Sequence, residues 1–388
     1  MCTRTGLDVS IRSPAFQGVG LLLGFLVISA GPLSRAPAAP PQVRAPAVGP
    51  ADLLWTIDLS ARGFPSLPWS TAAQARSSFE NLGFAGSSEL VAAYLVPESA
   101  APYSPRRVRC ILLDVRTGRV LGEREWSVLM SRVGLLATRE GKFAVRTNNA
   151  LTLYSGRFQA VARLATPVPS PAFDQWTIGV TPDRNLVVVQ HYTREKTDIR
   201  WLDSASLAPR RSWSSTSEKF EDDWDSLRFS DTLMARVRLA GIEVREIGGP
   251  WTLAFGAGPG FAGQLSARFL TADALLVSEG RSLSVVRSDA DILLAQPLDE
   301  GEFIAAGAAR SSADGRRFAL PVAAYNATGA QLALERIVVY DWSSRRWLCQ
   351  LDNRRPGFKG VWAFALSPDG SSVALASGGA VRLYRLPR

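Results

Sequence analysis

The sequence predicts an all-β fold: a seven-bladed β-propeller of four-stranded blades, its ring closed by an N-terminal strand pairing with the last blade. Three observations carry that expectation. Runs that alternate apolar and polar residues dominate the chain, and almost no window sets apolar residues at i, i+3, i+4 and i+7. A unit of apolar strand, polar turn, apolar strand and alternating strand occurs seven times, its first turn recurring from Ser87 to Asp369 at about 47 residues per repeat. That is the period of propeller blades. The seventh unit stops at Arg388, one strand short, whereas an alternating strand at residues 53–59 has no local partner. Pairing the two closes the ring and hides both exposed edges.

Taken in order, residues 1–36 read as a targeting segment. Arg4 and Arg12 precede a charge-free stretch, residues 13–34, whose centre at 19–28 is almost solidly apolar; small residues such as Ala36, Ala38 and Ala39 follow. A basic start, a short apolar run and small residues make a secretory signal peptide. The charge-free window is also close to bilayer length, so a cleaved signal and an uncleaved N-terminal membrane anchor both stay open. Either one puts the remaining chain outside the cytoplasm, periplasmic or secreted. Residues 37–52 are rich in Pro and Ala and form an extended linker. The propeller is expected over 53–388.

The last unit gives the plan of the others. Phe364 and Leu366 alternate with small residues, and Ser367, Pro368, Asp369 and Gly370 make a turn in which Gly takes φ > 0. Residues 373–376 are a second apolar strand, Gly378 and Gly379 a second turn, and Val381, Leu383 and Leu386 mark a third strand. Earlier second strands fall at 90–95, 143–146, 186–191, 233–237, 275–278 and 318–322. Third strands fall at 109–115, 151–154, 199–202, 242–245, 283–287 and 337–342. Five units have a clear fourth strand, among them 120–126, 158–164 and 347–351. Residues 97–107 and 325–334 lengthen the first and sixth units, which leaves six or eight blades as alternatives to seven. Loops longer than the fold requires are also where binding concentrates.

At residues 364–384, 312–320 and 181–189 the chain resembles bacterial WD40-like propellers, including the group with a TolB-type Ser-Pro-Asp-Gly turn. The resemblance covers roughly residues 53–388 and is strict only in the last unit. It departs from eukaryotic WD40 blades in lacking their Gly-His dipeptide, and Trp224-Asp225 is the sole Trp-Asp pair, out of place for that motif. What it implies is the fold and a general platform role, with no catalytic or partner-binding residue carried over.

The single histidine, His191, lies on a predicted strand and reads as a plain polar strand residue. Any Ser-His-Asp or Cys-His arrangement would have to use it, and zinc sites rich in His or Cys are excluded by count. Gly256, Gly258 and Gly260 surround Pro259 with no following helix, which makes a wide turn rather than a phosphate cradle. Of the three cysteines, Cys2 lies in the leader; Cys110 and Cys349 are either buried core thiols or one long-range bridge. The densest acidic cluster, with Glu218, Glu221, Asp222, Asp223 and Asp225, falls between the third and fourth units. Glu221, Asp222, Asp223 and Asp225 are the candidate binding loop, for calcium or a basic partner, against the plainer reading of a solvated acidic turn.

Eleven tryptophans are many for this length. Trp55, Trp126, Trp176, Trp201, Trp213, Trp251, Trp342, Trp347 and Trp362 fall in or beside predicted strands and are expected as wedges between blades. On a rim, the same residues would stack on sugars or anchor a protein. The composition is globular, with 46% hydrophobic and 20% charged residues and a net charge of +9 spread over scattered arginines. No cofactor or metal is expected. The function expected is a non-catalytic, extracytoplasmic binding platform, monomeric, for a protein or glycan partner; the compartment disfavours nucleic acid. The alternative is a propeller enzyme (quinoprotein dehydrogenase-like, hydrolase or lyase) using carboxylates and arginines at the central channel.

Overall fold

Among the described residues, the computed structural model contains seven antiparallel sheets, with the strands of blades 1 to 5 paired in chain sequence. It describes residues 51–64, 81–96, 106–128, 134–139, 141–147, 150–165, 175–192, 196–216, 227–238, 241–256, 265–279, 282–287, 292–294, 298, 301–304, 306–325, 332–352 and 361–387. The leader, the linker through Pro50 and the acidic loop Glu221, Asp222, Asp223 and Asp225 lie outside these residues. The innermost strands of blades 1 to 5 are Leu82–Ala85, Gly134–Ala137, Gln175–Val180, Leu227–Phe229 and Leu265–Phe269. Blade 6 splits this position into Glu302–Ile304 and Arg310–Ser311, and blade 7 has Val361–Leu366.

The ring follows from where the apolar side chains go. Among the described residues, seven buried clusters occur, and each joins one blade to the next. Val91, Ala93 and Leu112 of blade 1 meet Leu135, Phe143 and Val145 of blade 2. Leu136 and Leu153 of blade 2 meet Ile178, Val187 and Val189 of blade 3. The remaining clusters link blades 3 and 4, 4 and 5, 5 and 6, 6 and 7, and finally 7 and 1. Period-2 geometry explains why second strands are solidly apolar. In Ser372–Ser377, Val373 and Leu375 face blade 6 whereas Ala374 and Ala376 face blade 1. A strand buried on both faces has no polar side to show.

Ring closure takes the predicted form. Asp52–Asp58 pairs antiparallel with Ala380–Arg385, becoming the fourth strand of blade 7. Leu59 N–H then donates to Gly379 O at 2.9 Å. Leu59 and Phe64 are buried against blade 1, where Tyr94 Oη donates to Arg62 O at 2.8 Å.

Three local expectations are corrected and one alternative is removed. The fourth strand of blade 2 starts at Ala160 rather than 158, because Arg157 and Phe158 take left-handed φ of 63° and 58°. That turn drives the Phe158 ring into the core, 5.4 Å from Phe143. The third strand of blade 6 ends at Asp341, so Trp342 lies beyond it. Tyr325 and residues 332–334 belong to paired strands, and the lengthening of this unit is largely a longer hairpin. Cys110 and Cys349 are free and buried in different seams, which removes the bridge as an alternative; burial pushes the Cys110 thiol up.

Among the described residues, no helix is long and apolar enough to cross a membrane.

Candidate functional site

Antiparallel order puts the turn after each first strand and the turn after each third strand on one face. These turns are short and internally capped. In blade 7, Ser367 Oγ donates to Asp369 at 2.6 Å, Ser371 N–H donates to the same carboxylate at 3.0 Å, and Ser372 N–H donates to Ser367 Oγ at 2.9 Å. Ser312 with Asp314 in blade 6, and Thr181 with Asp183 in blade 3, repeat the pattern. The motif is thus a turn made rigid by its own side chains. Its fourth residue has φ of 68° at Gly315 and at Gly370, where the turn of each blade nests on its predecessor. A Cβ on Gly315 would meet Leu270 O at 2.7 Å.

A second tier of caps lies further out. Asp114, Asp203 and Asp341 end third strands and each holds the next turn through backbone N–H and hydroxyl groups. Burial acts to raise Asp341. Hydrogen bonds from Ser343 Oγ, Ser344 N–H and Arg317 outweigh it and hold the carboxyl at about 2. Since this is below the unfolded value, near 3.9, the ionised form stabilises the fold above pH ~4, and that stability is lost as pH falls through about 2. Asp341→Asn is expected to lower stability by about 2 kcal/mol at pH 7, with the gap to wild type narrowing below pH ~4. Urea denaturation of both proteins at pH 7 and pH 2.5 measures this. A gap of equal size at both would rule it out.

The innermost strands also carry arginines that reach toward the next blade. Two residues before the last inner-strand residue of the first hairpin (Ser230, Leu270 and Ser312) stand Arg228, Arg268 and Arg310. The equivalent residues elsewhere are Gly83, Leu136, Gly179 and Ala365. The position faces the following blade: Arg228 Nε donates to Ala267 O of blade 5 at 3.0 Å, and Arg268 donates to Gly307 O of blade 6 at 3.5 Å. Arg310 lies 5.6 Å from the ring centroid of Phe364 in blade 7. A fourth arginine, Arg184, occupies the turn position that is Gly in blades 6 and 7, with φ of 61°. It is buried, and its Nη1 donates at 3.3 Å to Phe84 O on the innermost strand of blade 1. Blade 2 stands between in the chain, so this bond ties blade 3 directly to blade 1.

Asp231 lies in the blade 4 turn beside the blade 3 turn, and burial together with the charge of Asp183 raises its carboxyl.

The other expected residues fall elsewhere. His191 sits on Leu186–Tyr192 opposite Asp198, Nδ1 to Oδ2 4.0 Å, an ordinary cross-strand pair. Trp201 and Trp347 are buried between blades, and Trp55, Trp126, Trp213, Trp251 and Trp342 pack against the seams. Arg245 lies 4.6 Å from the Trp213 ring and 4.2 Å from that of Trp251, with Arg236 4.4 Å from the latter. The side chains of Trp176 and Trp362 are outside the description. Gly256 ends a strand, and residues 257–260 are also outside it.

In the sequence the arginines are scattered, since no basic run joins them. Aligning the units on their first hairpin puts Arg228, Arg268 and Arg310 in one column.

No protein-family model matches the chain, and no curated protein matches it by sequence. Solved structures do match by shape. A crystal structure of a mitotic checkpoint complex contains a chain similar over 94% of this one and 99% of its own, at 12% identity and a TM-score of 0.50. The C-terminal WD40 domain of Sif2 covers 88% of this chain and 100% of its own length, at 14% identity and a TM-score of 0.49. The protein has the fold of a WD40-type seven-bladed β-propeller.

Proposed function

We propose that this chain is an extracytoplasmic binding platform, a bacterial propeller of the TolB-like kind that holds a protein partner on the face of capped turns. The ring of turns carries this reading: it sets side chains from successive blades around one axis on a backbone fixed by Ser/Thr–Asp caps. Such preorganisation lowers the ordering cost of binding. The compartment rests on the leader at residues 1–36, and the bacterial kinship on the Ser-Pro-Asp-Gly turn. A protein is favoured over a glycan because Trp213 and Trp251 already have guanidinium groups against their rings.

Crosslinked affinity capture from a host envelope extract, read by mass spectrometry, tests the proposal. One or a few proteins crosslinked to the capped-turn face are expected. Capture of no protein, with a small molecule co-purifying at fixed stoichiometry, would overturn it in favour of an enzyme.

A further inference from the structure

We propose that the turns of blades 3 and 4 are latched on the capped-turn face by one proton shared between Asp231 and Asp183, and that rising pH loosens this seam. The latch needs no partner to act.

Hydrogen-bond geometry places the proton. Asp183, in the blade 3 turn, accepts hydrogen bonds from Thr181 Oγ1 at 2.7 Å, from Asn185 N–H at 3.0 Å and from the Asn185 side-chain amide. Asp231, from the blade 4 turn, brings its carboxyl against both Thr181 and Asp183. Thr181 Oγ1 accepts from Leu186 N–H at 3.1 Å and has a single hydrogen to donate. That hydrogen cannot serve two carboxylates at once. Since donors already converge on Asp183, Asp231 bonds to it only by supplying a proton of its own.

The neighbouring charges do not replace that proton. Arg211, on Pro209–Ser215 of blade 3, faces Asp231 but donates Nη1 to its backbone O, at 3.3 Å. Arg184, next to Asp183, donates to Phe84 O. Arg139 of blade 2 donates to Asn185 Oδ1 at 2.6 Å, and Asp203 of blade 3 pairs with Arg210 at 2.6 Å. In blade 5, Asp273 accepts from Thr271 and lies 3.9 Å from Arg287. Within blade 4, Glu246 is exposed opposite Leu233, and Arg245 lies against the rings of Trp213 and Trp251. Burial and the charge of Asp183 therefore prevail over Arg211 and raise the Asp231 carboxyl.

A carboxyl raised in the fold above its unfolded value, near 3.9, stabilises the seam while protonated. That stability is fully present below the unfolded value and is lost as pH rises through the folded one. Turn-capping carboxylates such as Asp341 and Asp203 are lowered and act in the opposite direction. The pH profile of the whole protein mixes the two, so comparison of a variant with wild type isolates Asp231. Loosening concentrates here because, among the described residues, this seam has the smallest buried apolar cluster to oppose it.

The test uses the purified full chain and Asp231→Asn, whose amide donates where the acid donated its proton. The variant is expected to melt at least about 2 °C above wild type at pH ~8 and level with it at pH ~4. Amide exchange, corrected for intrinsic rates, gives the local readout. Arg184 N–H and Ser230 N–H bond to Thr181 O and Leu233 O, each at 2.9 Å. In wild type their protection should fall severalfold between pH ~5 and pH ~8, whereas in the variant it should stay constant. Ser367 N–H of blade 7, bonded to Ser372 O at 2.9 Å, should behave alike in both proteins. Asp314→Asn, where Arg316 lies 4.0 Å from the carboxylate, is expected not to raise the midpoint. An Asp231→Asn midpoint at or below wild type at pH ~8, or an equal gain at pH ~4 and pH ~8, would overturn the shared proton. So would an identical pH response of the Arg184 and Ser230 amides in the two proteins.

Discussion

Deleting residues 1–59 is expected to abolish the cooperative unfolding transition, whereas deleting residues 1–50 leaves the thermal midpoint within about 2 °C. The difference is nine residues, and their effect comes from closing a ring. Asp52–Asp58 supplies the outer ladder of blade 7. Trp55 Nε1 donates to Val115 O of blade 1 at 2.7 Å, and its indole lies under Gly118, whose added Cβ would come within 2.9 Å of it. Ile57 and Leu59 pack in the seam between blades 7 and 1. At roughly 1.5–3 kcal/mol for each large apolar side chain taken from water, Trp55, Ile57 and Leu59 together represent much of the ~5–15 kcal/mol that separates a folded domain from its unfolded chain. Deletion also exposes the edge of Ala380–Arg385, which invites association between chains. Circular dichroism melts of the two truncations decide the matter, and a synthetic peptide of residues 51–64 added to the shorter chain should restore the transition. Matching melts for the two truncations would mean that the ring does not depend on this strand.

That closure was legible in the sequence because it rests on a count: one strand too few at one end and one too many at the other. Blade number was legible for a related reason, since each second strand is buried on both faces and so reads as an unbroken apolar run between polar turns. Strand ends were less so. The left-handed residues Arg157 and Phe158 carry no composition signal, and the split inner strand of blade 6 hinges on Ala306–Ala308, three residues that are small and unremarkable in type. The tryptophans could be assigned to seams, but which ring meets which guanidinium depends on how neighbouring blades face each other. The arginines of the innermost strands were hidden more completely. They are 40 or more residues apart and share a site only because the repeat superimposes their strands. Arg184 was visible as a departure from the Asp-Gly turn, but its reach to Phe84 O exists only in the closed ring.

Trp201→Ala is expected to cost about 3–5 kcal/mol, near the upper end for any single truncation in this protein. Among the described residues, the seam between blades 3 and 4 has the smallest buried apolar cluster, with Val188, Ile199, Trp201 and Met234 at its centre. Trp201 is fully buried and meets Phe229 edge-on at 5.9 Å, so its removal leaves a void that few neighbours can fill. The flanking Arg245, between Trp213 and Trp251, is itself buried and adds a desolvated cation to the same seam. A collapse that shifted Trp213 would disturb that stack as well. Trp201→Phe gives the decisive contrast. The indole Nε1 is buried with no hydrogen-bond partner among the described residues, a desolvation cost of about 1–3 kcal/mol. Phenylalanine removes that N–H while keeping a ring against Phe229, so the smaller volume is offset and its net effect is expected within about 1 kcal/mol of wild type. Urea denaturation of the three proteins measures both numbers. Should Phe prove as damaging as Ala, the indole N–H must be making a bond that matters; should Ala cost less than ~1 kcal/mol, the seam is held by its arginine–tryptophan stack and not by apolar burial.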